Sequence, residues 1–343
     1  MPSRTAPPLL AVLPSARRLV PPHAATVDLA VERFADGEAI ARLHTAVRGH
    51  RCVLAGASAP PDEQLTETLL AAHALRRAGA AEITAVLPYL AYGRQDAAAA
   101  SESLGLAWLG ELLQAAGVTE VVAVDVHSAA ARALLPMPVA SLSPAVVLAH
   151  AVPPDWRREA TFVAPDEGAL ERARAVARVA GAHREPVHFV KRRTAHGVRE
   201  LALIGEVRRR AVLVDDILAT GGTLVAAARE LRGRGAEELL VLVTHGLFAG
   251  DAWRELWELG IGRIVVTDTV PLPATASAGE AGPIEVVPVW PLIAERVLRA
   301  PAPAPDWRRG RVATKVARRL PPAVSARAKS FRHGKSTADK WNQ

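Results

Sequence analysis

The sequence predicts an α/β fold in which mainly parallel sheets carry helices on both faces. Apolar runs of β-type composition alternate with stretches rich in Ala, Leu, Glu and Arg through most of the 343 residues. The runs are continuously apolar, as expected for strands that are buried on both faces of a parallel sheet. An apolar run that ends in an acid occurs in each half of the chain, at 121–128 and 211–222. This loose repeat and the chain length indicate two similar α/β domains.

The predicted elements follow one another in a regular order. The strands are apolar runs with many β-branched residues, at 51–57, 82–89, 120–126, 160–164, 187–190, 201–205, 211–216, 238–245 and 263–268. Helical stretches lie between many of them, at 62–79, 101–117, 166–182 and 222–235. Ligands of such sheets bind beyond the carboxyl ends of the strands. We therefore expect the functional side chains at those ends.

Three segments are predicted from composition and charge. Proline-containing loops near residue 150 separate a first domain, 1–150, from a second, 151–300. Residues 301–343 form a proline-rich, basic tail with eleven Lys and Arg against two Asp, a balance of +9 within a total of +7. We expect a flexible tail that contacts an acidic partner or nucleic acid through its charge.

Several classes of protein are disfavoured. The single cysteine, Cys52, allows no disulfide framework and no CxxC metal pair, so a reducing, cytoplasmic location is expected. Prolines interrupt the apolar stretch at the N-terminus, unlike a secretory signal. Residues 133–154 carry no Asp, Glu, Lys or Arg but contain five prolines, which argue against a membrane-spanning helix.

The stretch "AVLVDDILATGGTL" (211–224) is the most informative. Two acids, Asp215 and Asp216, end an apolar strand, and a glycine turn precedes a helix. Glycine permits backbone N–H groups to converge, and a helix N-terminus adds partial positive charge, so the turn predicts a phosphate cradle. The acids can accept hydrogen bonds from sugar hydroxyls above it. Ribose 5-phosphate binding is favoured over an ordinary strand–turn–helix connection.

That turn resembles the phosphoribosyl-binding loop of the phosphoribosyltransferase fold. Taken in order, the motifs resemble those of the ribose-phosphate pyrophosphokinase family: "RFADGE" (33–38), "PYLAYGRQD" (88–96), "VDVHS" (124–128), "APDEGALERAR" (164–174), "KRR" (191–193) and "VDDILATGGT" (214–223). The resemblance implies two tandem phosphoribosyltransferase-like domains, the first binding ATP and the second ribose 5-phosphate. It also implies transfer of pyrophosphate from ATP to the anomeric hydroxyl of the sugar, Mg²⁺ as cofactor, and a homo-oligomer.

The resemblance also implies individual roles. The ATP-binding residues would be Asp36, Gly37, Glu38, Arg94, Gln95 and Asp96. The magnesium positions would be His127 and Asp166, and Lys191 and Arg193 would be catalytic residues on a mobile loop. The ribose 5-phosphate site would consist of Asp215, Asp216, Ala219, Thr220, Gly221, Gly222 and Thr223.

Two departures keep alternatives open. After "RQD" the family usually continues with basic residues, whereas this chain has alanine at 97–100. This loss of positive charge leaves room for a non-catalytic regulatory relative. Ala219 stands where many pyrophosphokinases carry an acid. In that detail the loop is similar to base-transferring phosphoribosyltransferases, which consume phosphoribosyl pyrophosphate.

Overall fold

The structure, a computed structural model, describes residues 6–99, 101–193, 199–277 and 282–298. Within these ranges the strands are β1 (Leu9–Val12), β2 (Leu29–Arg33), β3 (Ala39–Leu43), β4 (Arg51–Ala55), β5 (Glu82–Val86), β6 (Glu120–Val124), β7 (Val139–Leu142), β8 (Thr161–Ala164), β9 (Val187–Arg193), β10 (Arg199–Ile204), β11 (Arg210–Leu218), β12 (Glu238–Gly246), β13 (Ile261–Thr267) and β14 (Ile284–Val287). The tail predicted at 301–343 lies outside the described residues.

Helices connect most of these strands. In the described ranges they are α1 (Asp62–Arg77), α2 (Gly105–Ala116), α3 (Ala129–Ala133), α4 (Ala145–Ala151), α5 (Leu170–Ala180), α6 (Gly222–Gly233), α7 (Glu255–Glu258), α8 (Ala274–Ser277) and α9 (Trp290–Leu298). Short 3₁₀ turns occur at Pro14–Ala16 and Ala252–Arg254.

The strands form two main sheets and a hairpin. In the described part of the chain, the first sheet has the order β1-β4-β5-β6-β7 and is parallel throughout. The second has the order β10-β9-β8-β11-β12-β13-β14, with only the β9–β10 pair antiparallel. Strands β2 and β3 form a separate antiparallel hairpin. The predicted α/β fold with mainly parallel sheets is confirmed.

Local sequence explains the ends of several helices. In α1, acids occupy the first turn and arginines the last, where each complements the helix dipole. Its buried residues share one face at helical spacing: Leu65, Thr68, Ala71, Ala72 and Leu75. Helices α2 and α5 end at Gly117 and Gly181, both in the left-handed conformation that stops a helix.

Buried side chains cover both faces of each sheet. Helices α1 and α2 pack on one face of the first sheet, and α9 returns to cover its other face through Trp290, Ile293 and Val297. Helices α4 and α5 cover one face of the second sheet. Helices α6 and α7 cover the opposite face. The chain therefore returns to the first sheet at α9.

All nine predicted strands and all four predicted helices are present, with shifted ends. The loop predicted at Lys191 and Arg193 is wrong. Lys191 and Arg193 were expected on a loop, but β9 extends through Arg193 and pairs with β10, with Lys191 opposite Leu201. The apolar stretch "VHFV" ends at Val190, whereas backbone pairing continues through the charged residues because a neighbouring strand supplies hydrogen bonds. The side chains of Lys191 and Arg193 lie outside the described residues.

Candidate active site

The glycine turn after β11 is shaped for a residue without a side chain. Gly221 has a φ of +87°, and a Cβ there would lie 2.7 Å from backbone and side-chain atoms of Trp253. Glycine therefore meets both the conformational and the steric demand. Ala219 accepts a backbone hydrogen bond from Ala249 at 3.0 Å, which fixes the start of the turn.

Helix α6 begins at this turn with its N-terminus open to solvent. Gly221 is the N-cap, and no side chain caps the described helix start. Thr220, Gly222 and Thr223 are exposed. The first N–H groups of a helix have no partner within the helix and attract anions. The open start of α6 is therefore the feature of this turn to which an anion could bind.

The two acids before the turn have different surroundings. Asp216 is buried, at 6% exposure, and its Oδ2 accepts a hydrogen bond from Nδ1 of His127 at 2.6 Å. The Oδ1 of Asp215 accepts one from the backbone N–H of Asp216 at 2.9 Å. Because β11 extends to Leu218, both acids lie within the strand rather than at its end. The carboxylate of Asp216 thus already has partners in the protein.

These environments separate the pKa values of the pair. Burial and the adjacent charge of Asp216 raise the pKa of Asp215 well above its ordinary value. Burial also acts to raise the pKa of Asp216, but the His127 hydrogen bond and the Arg172 charge hold it well below the usual range. Neighbouring carboxylates divide in this way because two close negative charges disfavour each other. Asp216 is the ionised member of the pair.

The two predicted metal positions have polar, accessible atoms. The His127 side chain is 42% exposed, and its hydrogen bond to Asp216 raises its pKa against the effect of burial. Asp166 precedes α5, and its Oδ1 accepts the backbone N–H of Ala169 at 3.0 Å. The described residues contain no group of three His, Cys, Asp or Glu that could hold a metal ion by themselves.

The predicted nucleotide residues lie in two places. Asp36, Gly37 and Glu38 form the turn of the β2–β3 hairpin, where Gly37 has a φ of +92° and the Glu38 N–H donates to Asp36 Oδ1. Arg94 and Gln95 are exposed in the segment after β5. No contact found among the described residues joins these two groups.

Asp96 links the second group to the first metal position. Its Oδ2 accepts a hydrogen bond from the Ser128 hydroxyl at 2.7 Å, and Ser128 caps α3 by accepting the N–H of Ala131. Ser128 directly follows His127. The segment of Arg94, Gln95 and Asp96, which is predicted to bind the nucleotide, is thus joined by a side-chain hydrogen bond to the segment that carries His127.

Three further residues surround the His127–Asp216 contact and were not predicted to have roles. Arg172 donates from Nε to Asp125 Oδ2 at 2.7 Å, and its Nη2 lies 3.4 Å from Asp216 Oδ2. The Thr244 hydroxyl also donates to Asp125 Oδ2. Asp125 and Arg172 both fall within quoted motifs. Their spacing along the chain could not predict that Arg172, on a helix, contacts both Asp125 and Asp216.

A cavity of about 290 Å³ lies beside His127. Its polar lining combines hydroxyls with charges of both signs, from Ser128, Ser141, Ser143, Arg132, Arg172, Asp125 and Glu171. The cavity lies at the carboxyl ends of β6 and β7 and beside α5. It has room for a small polar group.

The sheets and the glycine turn define a phosphoribosyltransferase-like α/β protein. A ribose-phosphate pyrophosphokinase of Caldanaerobacter subterraneus subsp. tengcongensis is 37% identical over 278 residues, 79% of this chain and 86% of the relative. A ribose-phosphate pyrophosphokinase of Aquifex aeolicus is 34% identical over 277 residues, which are 79% of this chain and 87% of the relative. The chain belongs to the ribose-phosphate pyrophosphokinase family.

Other comparisons agree. Residues 17–117 match the N-terminal domain of ribose phosphate pyrophosphokinase, and residues 158–301 match the phosphoribosyl synthetase-associated domain. The crystal structure of phosphoribosylpyrophosphate synthetase from Mycobacterium smegmatis superposes with a TM-score of 0.73 and 26% identity, covering 85% of this chain and 98% of that one. The resemblance drawn from the ordered motifs is confirmed. Among the described helices, none is long and apolar enough to cross a membrane.

Proposed function

We propose that the protein is a ribose-phosphate pyrophosphokinase that transfers the β,γ-pyrophosphoryl group of ATP to the anomeric hydroxyl of ribose 5-phosphate. The hydroxyl oxygen loses its proton, which is released to water, and forms a bond to the β-phosphorus; the bond between that phosphorus and the α,β-bridging oxygen breaks, and AMP leaves. Such transfers depend mainly on positioning and on neutralising phosphate charge. The observation that carries the proposal is the open start of α6 at Gly221, in a chain of this family.

The sugar phosphate would bind at the turn, in the half that spans 151–300. Backbone N–H groups at the start of α6 receive its terminal phosphate, and the hydroxyls of Thr220 and Thr223 are exposed beside them. Asp215 is the acid available to the sugar hydroxyls, because Asp216 is engaged by His127. With its raised pKa, Asp215 can both donate and accept a hydrogen bond when protonated.

The nucleotide would bind to the half that spans 1–150. The Arg94 guanidinium and the Gln95 amide are exposed donors for its phosphates. The hairpin turn of Asp36, Gly37 and Glu38 would contact the base from a neighbouring subunit of a homo-oligomer. Phe34, in the same turn, is 49% exposed and offers a ring on which a base can stack. Light scattering on a size-exclusion column tests the oligomer.

The residues present fit Mg²⁺ as cofactor. A metal-binding histidine usually donates its second ring nitrogen to a carboxylate, and Nδ1 of His127 donates to Asp216. Nε2 of His127 and the carboxylate of Asp166 would hold the ion, which relies on few protein groups because phosphates and waters complete its shell. Bound there, Mg²⁺ would supply charge neutralisation to the triphosphate.

Lys191 and Arg193 are proposed as the catalytic cations. They lie at the end of β9, which pairs with β8; Asp166 follows β8, and Asp215 lies within the next strand, β11. Positive charge here would stabilise the charge that develops between the attacking oxygen and AMP. Their placement on a paired strand supports a more defined backbone position than a loop provides.

The test is AMP formation by the purified protein. We expect AMP only when ATP, Mg²⁺ and ribose 5-phosphate are all present. Lys191→Ala should lower kcat by roughly 10²-fold or more, as expected for loss of one group that stabilises transition-state charge. The adjacent Arg192→Ala is the matched control and should retain most activity. No AMP from the wild-type protein with saturating substrates would overturn the proposal.

Two alternatives rest on particular residues. Ala219 favours a transferase that consumes phosphoribosyl pyrophosphate, and nucleotide formation from that compound and a base would support it. The exposed alanines at 97–99 favour a regulatory relative, which would bind ligands without turnover. The family match at 17–117 and the similar relatives carry the name ribose-phosphate pyrophosphokinase, which supports the main proposal over these two.

We also propose a cytoplasmic location and an electrostatic contact of the basic tail, 301–343, with an acidic partner or nucleic acid. Both rest on composition: one cysteine in the whole chain and a tail balance of +9. Binding of labelled single-stranded DNA to the full chain, but not to a chain ending at residue 300, tests the nucleic-acid contact. Such binding should weaken steeply with added salt.

A further inference from the structure

Arg172 reaches from a helix into the junction of the two sheets. It is the third residue of α5, which packs on the second sheet. Its side chain is only 11% exposed, although arginine is rarely buried without partners. Such burial of a charge requires close acidic partners.

The guanidinium has one partner in each sheet. Asp125, 2.7 Å from Nε, follows β6 of the first sheet. Asp216, 3.4 Å from Nη2, lies in β11 of the second. Both carboxylates are about as buried as the arginine, at 13% and 9% exposure of the side chain. One planar fork therefore spans the two halves of the candidate active site.

Each acid also controls a second feature of that site. Asp125 has a φ of +50°, an uncommon conformation for a residue with a side chain, and its Oδ2 also accepts the Thr244 hydroxyl. Two residues later, His127 donates to Asp216. These contacts form a closed network. Arg172 contacts both Asp125 and Asp216, and His127, two residues after Asp125, also contacts Asp216.

A different side chain cannot replace the fork. Loss of the guanidinium would leave two buried carboxylates without its positive charge, which costs free energy. Lysine would keep the charge, but its single ammonium lacks the rigid planar donors that span two acceptors. Both the charge and the planar geometry of the Arg172 guanidinium are therefore needed to contact the two acids.

We infer that Arg172 is a positioning residue that sets the separation between the nucleotide half and the sugar half of the site. The inference rests on the proposed function, because in-line transfer requires the attacking oxygen and the β-phosphorus at a defined distance. A misplacement of about 1 Å can cost roughly 10²-fold in rate. Arg172 holds Asp125 and Asp216, whereas the sugar hydroxyls are assigned to Asp215 and the sugar phosphate to the start of α6, so binding should persist while turnover falls.

The first experiment compares kcat with KM in Arg172→Lys and Arg172→Ala. We expect kcat to fall by roughly 10- to 100-fold and KM for ATP and for ribose 5-phosphate to stay within about 3-fold. Arg174→Ala is the matched control, because Arg174 lies on the same helix and its ion pairs among the described residues are with the exposed Glu171 and Glu185. It should behave as wild type. Folded variants with unchanged kcat, or with KM raised and kcat intact, would overturn the inference.

The second experiment adds guanidinium ion to Arg172→Gly. Millimolar guanidinium should restore part of the lost kcat, and ammonium at the same concentration should not, because only the former is a planar fork. Equal effects of the two ions would count against a geometric role.

A third measurement needs no turnover and separates this inference from the proposed function. Melting temperatures of Arg172→Lys, Asp125→Asn and the double variant form a cycle. The double variant should lose clearly less than the two single losses combined, because the first change already breaks the bridge. Additive losses would show that the bridge is absent. If the wild-type protein makes no AMP, the proposed function fails and this cycle alone decides whether Arg172 joins the halves.

Discussion

The phenol ring of Tyr89 meets the imidazole of His245 edge-on, with 4.9 Å between the ring centroids. Tyr89 follows β5 of the first sheet, and His245 lies near the end of β12 in the second. Edge-to-face packing at this distance is favourable beyond the area buried. The two sheets are thus joined by an aromatic contact as well as by the charged bridge of Arg172.

His245 makes the stability of the protein depend on pH. It is 2% exposed, and burial lowers its pKa below the ordinary 6.5. At pH values between the lowered pKa and about 6.5, His245 is protonated in the unfolded chain but neutral in the folded protein. The free energy of unfolding therefore decreases as pH falls through this range. Urea unfolding at pH 7.5 and 5.5 should show a smaller pH effect in His245→Gln than in wild type. Equal pH effects would contradict this assignment.

The two glycines of the turn should respond differently to alanine. Gly221→Ala forces a Cβ to within 2.7 Å of Trp253 and keeps an unfavourable φ, so we expect a loss of about 1–3 kcal/mol in unfolding free energy and no binding of ribose 5-phosphate. A Cβ on Gly222 meets nothing within 4 Å, so Gly222→Ala should fold as wild type. Thermal unfolding and titration calorimetry check both. Equal stability in the two variants would refute the steric argument.

Much of the fold could be predicted because its central strands are continuous apolar runs. The strands missed lie at edges or in the hairpin, namely β1, β2, β3, β7 and β14, where four or five residues carry little pattern. The loop predicted at Lys191 is a strand because pairing with β10 overrides local charge. Tertiary partners, which a single sequence does not display, decide such cases.

The candidate site was partly predictable for a similar reason. The strand, glycine turn and helix could be predicted because they depend on a local pattern of residues, and Gly221 has the positive φ that glycine permits. The Arg172 bridge depends on contacts across 47 and 44 residues of chain, to Asp125 and Asp216. Sequence spacing cannot reveal such contacts. It also could not show that Asp216 is occupied by His127 rather than open to a ligand.

Cys52 should be chemically silent in the folded protein. It is 2% exposed, and burial raises the pKa of its thiol to about 11, so almost no reactive thiolate exists near neutral pH. Reaction with a disulfide reagent at pH 8 should follow the rate of unfolding and become rapid in urea. Cys52→Ala, which removes the only cysteine of the chain, gives the blank. Rapid reaction in native buffer would show that the first sheet opens locally.

Restoring positive charge after Asp96 should strengthen nucleotide binding. Ala97, Ala98 and Ala99 are exposed, so a long side chain at position 98 can be accommodated without disturbing the core. An exposed charge pair is worth at most about 1 kcal/mol, which corresponds to roughly a 5-fold decrease in KM for ATP in Ala98→Arg.

The effect should diminish as salt increases, because exposed charges are screened. Ala98→Gln is the matched control, since it adds length without charge and should leave KM unchanged. An equal decrease in KM in both variants would mean that side-chain length at position 98, rather than charge, determines the affinity for ATP. An unchanged KM in Ala98→Arg, with normal turnover, would show that this segment lies away from the triphosphate.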